Sequence, residues 1–170
     1  MDNKLWEKAV EFHGHACPGL AIGFQASILA KKVLEIHNNI EDEDIVCISE
    51  TDACGVDAIQ VILKATIGTG ALKVDYKGKQ AFNIYNRKNG KSARFVLNNI
   101  KDFQSKEERM KYILSQDPSE LFTIKNTAKD FPERAKIYDS YICHKCGEKT
   151  AANAVDLVNR NYICFSCRDM

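Results

Sequence analysis

An α+β fold with a small metal-binding appendix is predicted by three features of this 170-residue sequence. Helical patterns recur at 5–12, 19–36 and 55–65, with a surface helix near 105–114. Between them lies a strand-rich stretch punctuated by glycine and asparagine turns. Two Cys-x-x-Cys pairs stand close to the C-terminus. The expected division is a core of 1–138 and a four-cysteine domain of 139–170.

Taken in chain order, LWEKAVEF (5–12) places Leu5, Ala9 and Phe12 on one helical face. HGHACPG interrupts it, with two glycines and a proline in seven residues. The segment 19–36 is helical and apolar nearly all round at first, the mark of a helix buried in a core or packed on a second protein copy. Gly19 and Gly23 would admit another backbone close to its first turns. An acidic turn leads to IVCIS, a short buried strand that holds Cys47 as a core residue. GVDAIQVILKA forms the next helix, and TIGTGALKV opens the strands. AFNIYN and SARFVLN pair through Asn89-Gly90. SKEERMKYIL is a helix with Ser105 as N-cap, PSELF begins a short one, and TIKNTAKDF is expected to be the last strand of the core.

Composition narrows the function classes. Hydrophobic residues make up 45% and charged residues 28%, as in a globular protein with a real core. No run of about 18 apolar residues suits a membrane span, and the charged N-terminus does not read as a secretory signal. The net charge of +1 gives no global reason for a nucleic-acid or membrane partner. Residues 35–57 carry eight acids and no Lys or Arg, whereas 69–101 carry eight bases against Asp75. Such stretches either neutralise each other across a fold or dimer, or present a basic face to an anion.

Seven cysteines, four of them in metal-type pairs, point to a reducing compartment, and the cytoplasm is the expected location. Cys143-x-x-Cys146 and Cys164-x-x-Cys167 are separated by seventeen residues, a spacing that lets two thiolate pairs wrap one tetrahedral zinc. Gly147 suits the turn of the knuckle, and the chain between the pairs can turn near Asn159-Arg160-Asn161. Four thiolates leave no open position, so this zinc is expected to be structural. Residues 133–170 hold six bases and five acids, which argues against nucleic acid and for protein docking.

His13, His15 and Cys17 alternate, and Pro18 pushes Cys17 away from the helical region, so an extended 13–17 would aim all three to one side. Cys17 then caps the following helix, where free N–H groups favour a thiolate, and Cys54 repeats the arrangement. His15, Cys17 and Cys54 would form a three-ligand centre with an open position. Asp57 and Gln60 could orient a ligand or water from behind. His13 could ligate, move protons or bond a carbonyl. Cys17 and Cys54 could also be a redox pair or packed residues, and Asp57 could serve the helix dipole alone.

Phe12-His13-Gly14-His15-Ala16-Cys17-Pro18-Gly19, then Cys54-Gly55-Val56-Asp57-Ala58-Ile59-Gln60, Gly68 to Leu72 and Gly78 to Phe82 resemble the E-subunit family of formylmethanofuran dehydrogenase. Cys143 to Glu148 resemble the zinc finger that many members carry, which would make this a stand-alone member with that finger. The resemblance implies an α+β core with a mixed sheet, a separate zinc finger and homodimers. It implies a metal near His15, Cys17 and Cys54. The residues themselves make His13, Cys17, Cys54 and Asp57 the catalytic candidates. Thr69 and Ala71 replace the family's usual Lys and Asn, which puts the ligand of this member in question. The expected function is a metal-binding protein with a Cys/His centre of Zn, Fe or Ni beside the structural zinc. The alternative is a non-catalytic adaptor or metal-delivery partner of a molybdenum or tungsten oxidoreductase, docked through the finger.

Overall fold

A computed structural model describes residues 3–37, 39–127 and 130–168, and the chain divides into two compact units, 1–134 and 135–170. The first unit contains α1 (Asn3–His13), α2 (Pro18–Val33), β1 (Ile45–Ser49), α3 (Gly55–Leu63), β2 (Leu72–Val74), β3 (Ala81–Asn86), β4 (Lys91–Leu97), α4 (Lys106–Ser115), α5 (Pro118–Leu121) and β5 (Phe122–Lys125). Its five strands run in the order β2-β1-β3-β4-β5. β1 and β2 are parallel and the other pairs antiparallel, so the sheet is mixed and the fold α+β. No helix among the described residues is long and apolar enough to cross a membrane.

Local sequence accounts for the element ends. Pro18 occupies the first turn of α2, where its missing N–H is no loss, and Cys17 caps that turn by accepting from Leu20 N at 3.3 Å. Ser105 caps α4 by accepting from Glu108 N at 3.1 Å. Arg87–Gly90 link β3 to β4, with Gly90 at φ +72° donating its N–H to Asn86 O. β5 spans only Phe122–Lys125 of the longer strand expected from sequence, in which residues 128 and 129 lie outside the description.

α2 is buried along most of its length against α3, α4 and the sheet. Its covering therefore comes from this chain itself. The decisive contact lies at two glycines. A Cβ placed on Gly23 would sit 2.0 Å from Gly55 O, so the start of α3 rests directly on the backbone of α2. Ile45, Cys47, Phe82, Ile84, Ala93 and Phe95 fill the helix-facing side of the sheet, and Cys47 is fully buried. Val46, Ile48 and Tyr85 form a small cluster on the reverse.

The acidic and basic stretches pair within this fold. Glu35 meets Lys91 at 2.6 Å, Asp44 meets Lys88 at 2.9 Å, and Glu50 meets Arg94 at 2.7 Å. The last pair is two-pronged, with Glu50 buried and Arg94 half-buried, and Asn83 Nδ2 adds a third bond to Glu50 at 3.0 Å. Arg94 holds the Glu50 carboxyl at a pKa of about 2.

The second unit holds two antiparallel hairpins, β6 (Ser140–Ile142) with β7 (Lys149–Ala151) and β8 (Val155–Val158) with β9 (Asn161–Cys164), followed by α6 (Phe165–Arg168). Asn159 and Arg160 turn β8 into β9 with φ of 48° and 63°. Tyr141 and Tyr162 stack at 3.9 Å between the hairpins. The buried cluster of this unit consists of Ile163 and three cysteines, with Val155 against it. So small an apolar core does not stabilise a domain of this size unaided.

Candidate metal centre

Cys143, Cys146, Cys164 and Cys167 place their sulfurs within 4.8 Å of one another. A tetrahedron with metal–sulfur bonds of about 2.3 Å sets its corners roughly 3.8 Å apart. Cys146 Sγ and Cys164 Sγ are 3.9 Å apart, which fits that figure and is far too long for a disulfide. Gly147 takes φ +75° at the knuckle, returning its N–H to Cys143 O. Backbone N–H groups of Cys146 and Cys164 face Cys143 and hold its pKa down to about 6, favouring the thiolate that ligates a cation. The donor set fits a closed four-thiolate site.

The second cluster is built where α1 meets α2. The extended 13–17 expected from sequence is not what forms. α1 continues through His13, Gly14 reverses the chain at φ +89° with its N–H on Val10 O, and Cys17 is extended at φ −149°. The reason is glycine's freedom in the left-handed region, which lets Gly14 turn the chain directly after α1 ends at His13. The three side chains still converge. His13, His15 and Cys17 offer ligand atoms within 4.8 Å of one another. His13 Nε2 lies 3.7 Å from Cys17 Sγ, and the two imidazoles are 4.6 Å apart.

Behind His13 stands a chain of hydrogen bonds. Asp57, in the first turn of α3, accepts a hydrogen bond from His13 Nδ1–H at 2.7 Å. A carboxylate only accepts, so this contact fixes the proton on Nδ1 and leaves the Nε2 lone pair facing Cys17. Gln60 donates to the other Asp57 oxygen at 3.3 Å and accepts from Ile67 N at 3.3 Å. Carboxylate-backed histidine is the usual arrangement of a metal-ligating imidazole.

Cys54 sits beside this trio. Its sulfur and that of Cys17 lie 3.5 and 3.9 Å from the place a Cβ on Gly19 would occupy. The structure departs from the sequence expectation in its conformation. Cys54 is helical at φ −42°, its side chain makes no capping bond, and burial together with the Cys17 thiol raises its pKa. Thr69 bonds within its own turn, to Thr66 Oγ1 at 3.1 Å, and Ala71 is buried with its carbonyl on Cys47 N.

Sequence reasoning missed one wall of the site. A cavity of about 210 Å³ opens beside His15, Cys17 and Pro18, bounded across the gap by Lys106, Glu107 and Met110 of α4. No local signal links segments ninety residues apart. The wall follows from the packing of α4 on α2, which buried Gln25 fixes by donating to Ile113 O at 2.7 Å.

A family model described as FmdE, Molybdenum formylmethanofuran dehydrogenase operon, matches residues 12–139. A probable S-adenosyl-L-methionine-binding protein of Archaeoglobus fulgidus is 29% identical over 195 residues, covering 96% of this chain and 52% of that protein. The chain thus spans about half the length of this curated relative. Among solved structures, a tungsten formylmethanofuran dehydrogenase FmdE-like protein from Syntrophus aciditrophicus matches with a TM-score of 0.70 at 24% identity, over 98% of this chain and 91% of that one. At that identity the likeness speaks for the fold.

Proposed function

We propose that this chain, which belongs to the FmdE family, is a metalloprotein with an open Cys/His centre in its core and a structural zinc in its C-terminal unit. The observation that carries the reading is the convergence of His13, His15 and Cys17 with Asp57 fixed on the far nitrogen of His13. Cys17 and the two imidazoles would hold the ion, and Cys54 stands within reach of a further position. The sequence alone points to His15, Cys17 and Cys54 for that role. Thiolate and imidazole donors suit Zn, Fe or Ni. Such an ion supplies Lewis acidity and an exchangeable position for a small ligand. The protein's own part is to keep the His13 lone pair forward through Asp57 and Gln60, and to leave His15 open to the cavity.

Metal content of the full chain by elemental mass spectrometry tests this. Two metals per chain are expected, falling to one in Cys17→Ser with the zinc retained. An unchanged metal count in that variant sinks the core centre.

The operon in the family description supports a second reading, a non-catalytic adaptor or metal-delivery partner of a molybdenum or tungsten oxidoreductase. On that reading Cys143→Ser, which dismantles the finger, abolishes co-purification with the oxidoreductase while leaving the core metal in place. Undiminished co-purification excludes docking through the finger. Homodimers and a cytoplasmic location belong to the same proposal, and sedimentation of the full chain decides the first.

A further inference from the structure

We propose that the cavity between His15–Pro18 and the first turn of α4 is a subsite for a small dipolar molecule of the α-amino-acid class, with Lys106 meeting its carboxylate and Glu107 its ammonium. This deepens the metal-centre reading and rests on it only for the chemistry that follows binding.

The cavity, about 210 Å³, equals roughly seven waters' share of liquid volume, room for an amino-acid-sized guest. Its wall carries one positive and one negative side chain, Lys106 and Glu107, both exposed and adjacent in sequence. Among the described residues neither Lys106 nor Glu107 joins an ion pair or a side-chain hydrogen bond. Glu35, Asp44 and Glu50, by comparison, each pair with a cation of the basic stretch. Half-buried Met110 adds an apolar surface below the two charges. On the opposite side His15 is exposed and makes no hydrogen bond among the described residues, and Cys17 lines the cavity beside it.

The charges select the ligand class. A simple anion that approached Lys106 would be repelled by Glu107, and a simple cation would meet the reverse. A neutral molecule would gain from neither. A zwitterion satisfies both while its apolar part lies along Met110, which leaves its remaining groups facing His15 and Cys17. The wall is a firm one, because Gln25 ties α4 to α2 through Ile113 O and Gln116 O.

Isothermal titration calorimetry on the full chain tests the assignment with three probes: L-methionine, 4-(methylthio)butanoate, which lacks the ammonium, and 3-(methylthio)propylamine, which lacks the carboxylate. Methionine is expected to bind, and each single-charge analogue to bind roughly fivefold more weakly, the scale of one exposed ion pair. Lys106→Met removes the preference over the amine, and Glu107→Gln removes the preference over the carboxylate. Lys111→Met, on the same helix but away from the cavity, changes neither ratio. Absence of saturable methionine binding, or ratios that both substitutions leave intact, overturns the proposal. Failure of the metal reading is seen separately, as an unchanged metal count in Cys17→Ser while these charge preferences persist.

Discussion

His13 Nδ1 stands 2.7 Å from Asp57 Oδ2, joining the last residue of α1 to the first turn of α3 across forty-four positions of sequence. The His13 side chain is 11% exposed and the Asp57 side chain 34%, so the bond lies at the rim of the core. It sets which nitrogen of His13 is free to face Cys17.

Asp57→Asn keeps the size of the side chain and replaces an obligate acceptor by an amide. His13 then loses the carboxylate that orients and polarises it. Affinity of the core metal is expected to fall about 10- to 100-fold, with thermal unfolding little changed. Competition against a chromogenic chelator measures the affinity, and an unaltered value would remove Asp57 from the site.

Gly23→Ala probes the contact that brings the two halves of the site together. The new methyl would lie 2.0 Å from Gly55 O and 2.5 Å from Gly55 Cα, backbone atoms that cannot step aside singly. A loss of about 3 kcal/mol is expected, the upper part of the usual range for overpacking. Separation of Cys54 from Cys17 should accompany it. Urea unfolding reads the first effect and the metal count reads the second.

Glu50 makes stability depend on pH in a defined window. Its folded pKa of about 2 lies below the ordinary 4.5, so the stabilisation is complete above about pH 4.5 and is lost as pH falls toward 2. The shift corresponds to a contribution on the order of 3 kcal/mol. Glu50→Gln should flatten this part of the profile. Arg94→Met leaves a buried carboxylate unpaired and is expected to cost about 3–5 kcal/mol at neutral pH, less as acid protonates Glu50. Denaturant midpoints between pH 7 and pH 2 for the three proteins check both statements.

Arg160 takes φ +63° in the two-residue turn between β8 and β9, a region where a side chain is strained. Asn159 before it tolerates that region better, and Asn-Gly is the favoured sequence for such a turn. Arg160→Gly is therefore expected to stabilise the second unit by about 1 kcal/mol. Amide hydrogen exchange of Tyr162 and Ile163 gives the direction, and faster exchange in the variant would contradict it.

Local rules made much of this protein legible. The Cys-x-x-Cys pairs announce a candidate ligand set because two thiolates separated by two residues can take one edge of a tetrahedral site. Pro18 and Cys17 start α2 through sterics and capping that act over one turn, and Ser105 does the same for α4. Cys47 could be assigned to the core because its neighbours are apolar. Asp57 and Gln60 could be singled out by their spacing on one helix, although their partners could not.

The remainder was decided at long range. His13 to Cys17 converge through a helix end and a left-handed Gly14, where the sequence suggests an extended segment, because α1 runs to His13 and Gly14 then turns the chain. Cys54 reaches Cys17 because Gly23 and Gly55 let two backbones touch, and Lys106 faces His15 because Gln25 fixes α4 on α2. By itself the sequence determined the element types, the four-thiolate site and the candidate ligands, since turn chemistry, capping and hydrophobic period act between near neighbours. Only the tertiary structure decided which imidazole nitrogen faces the thiol, which carboxylate stands behind it and which charges line the cavity, since those follow from helices packed across many intervening residues.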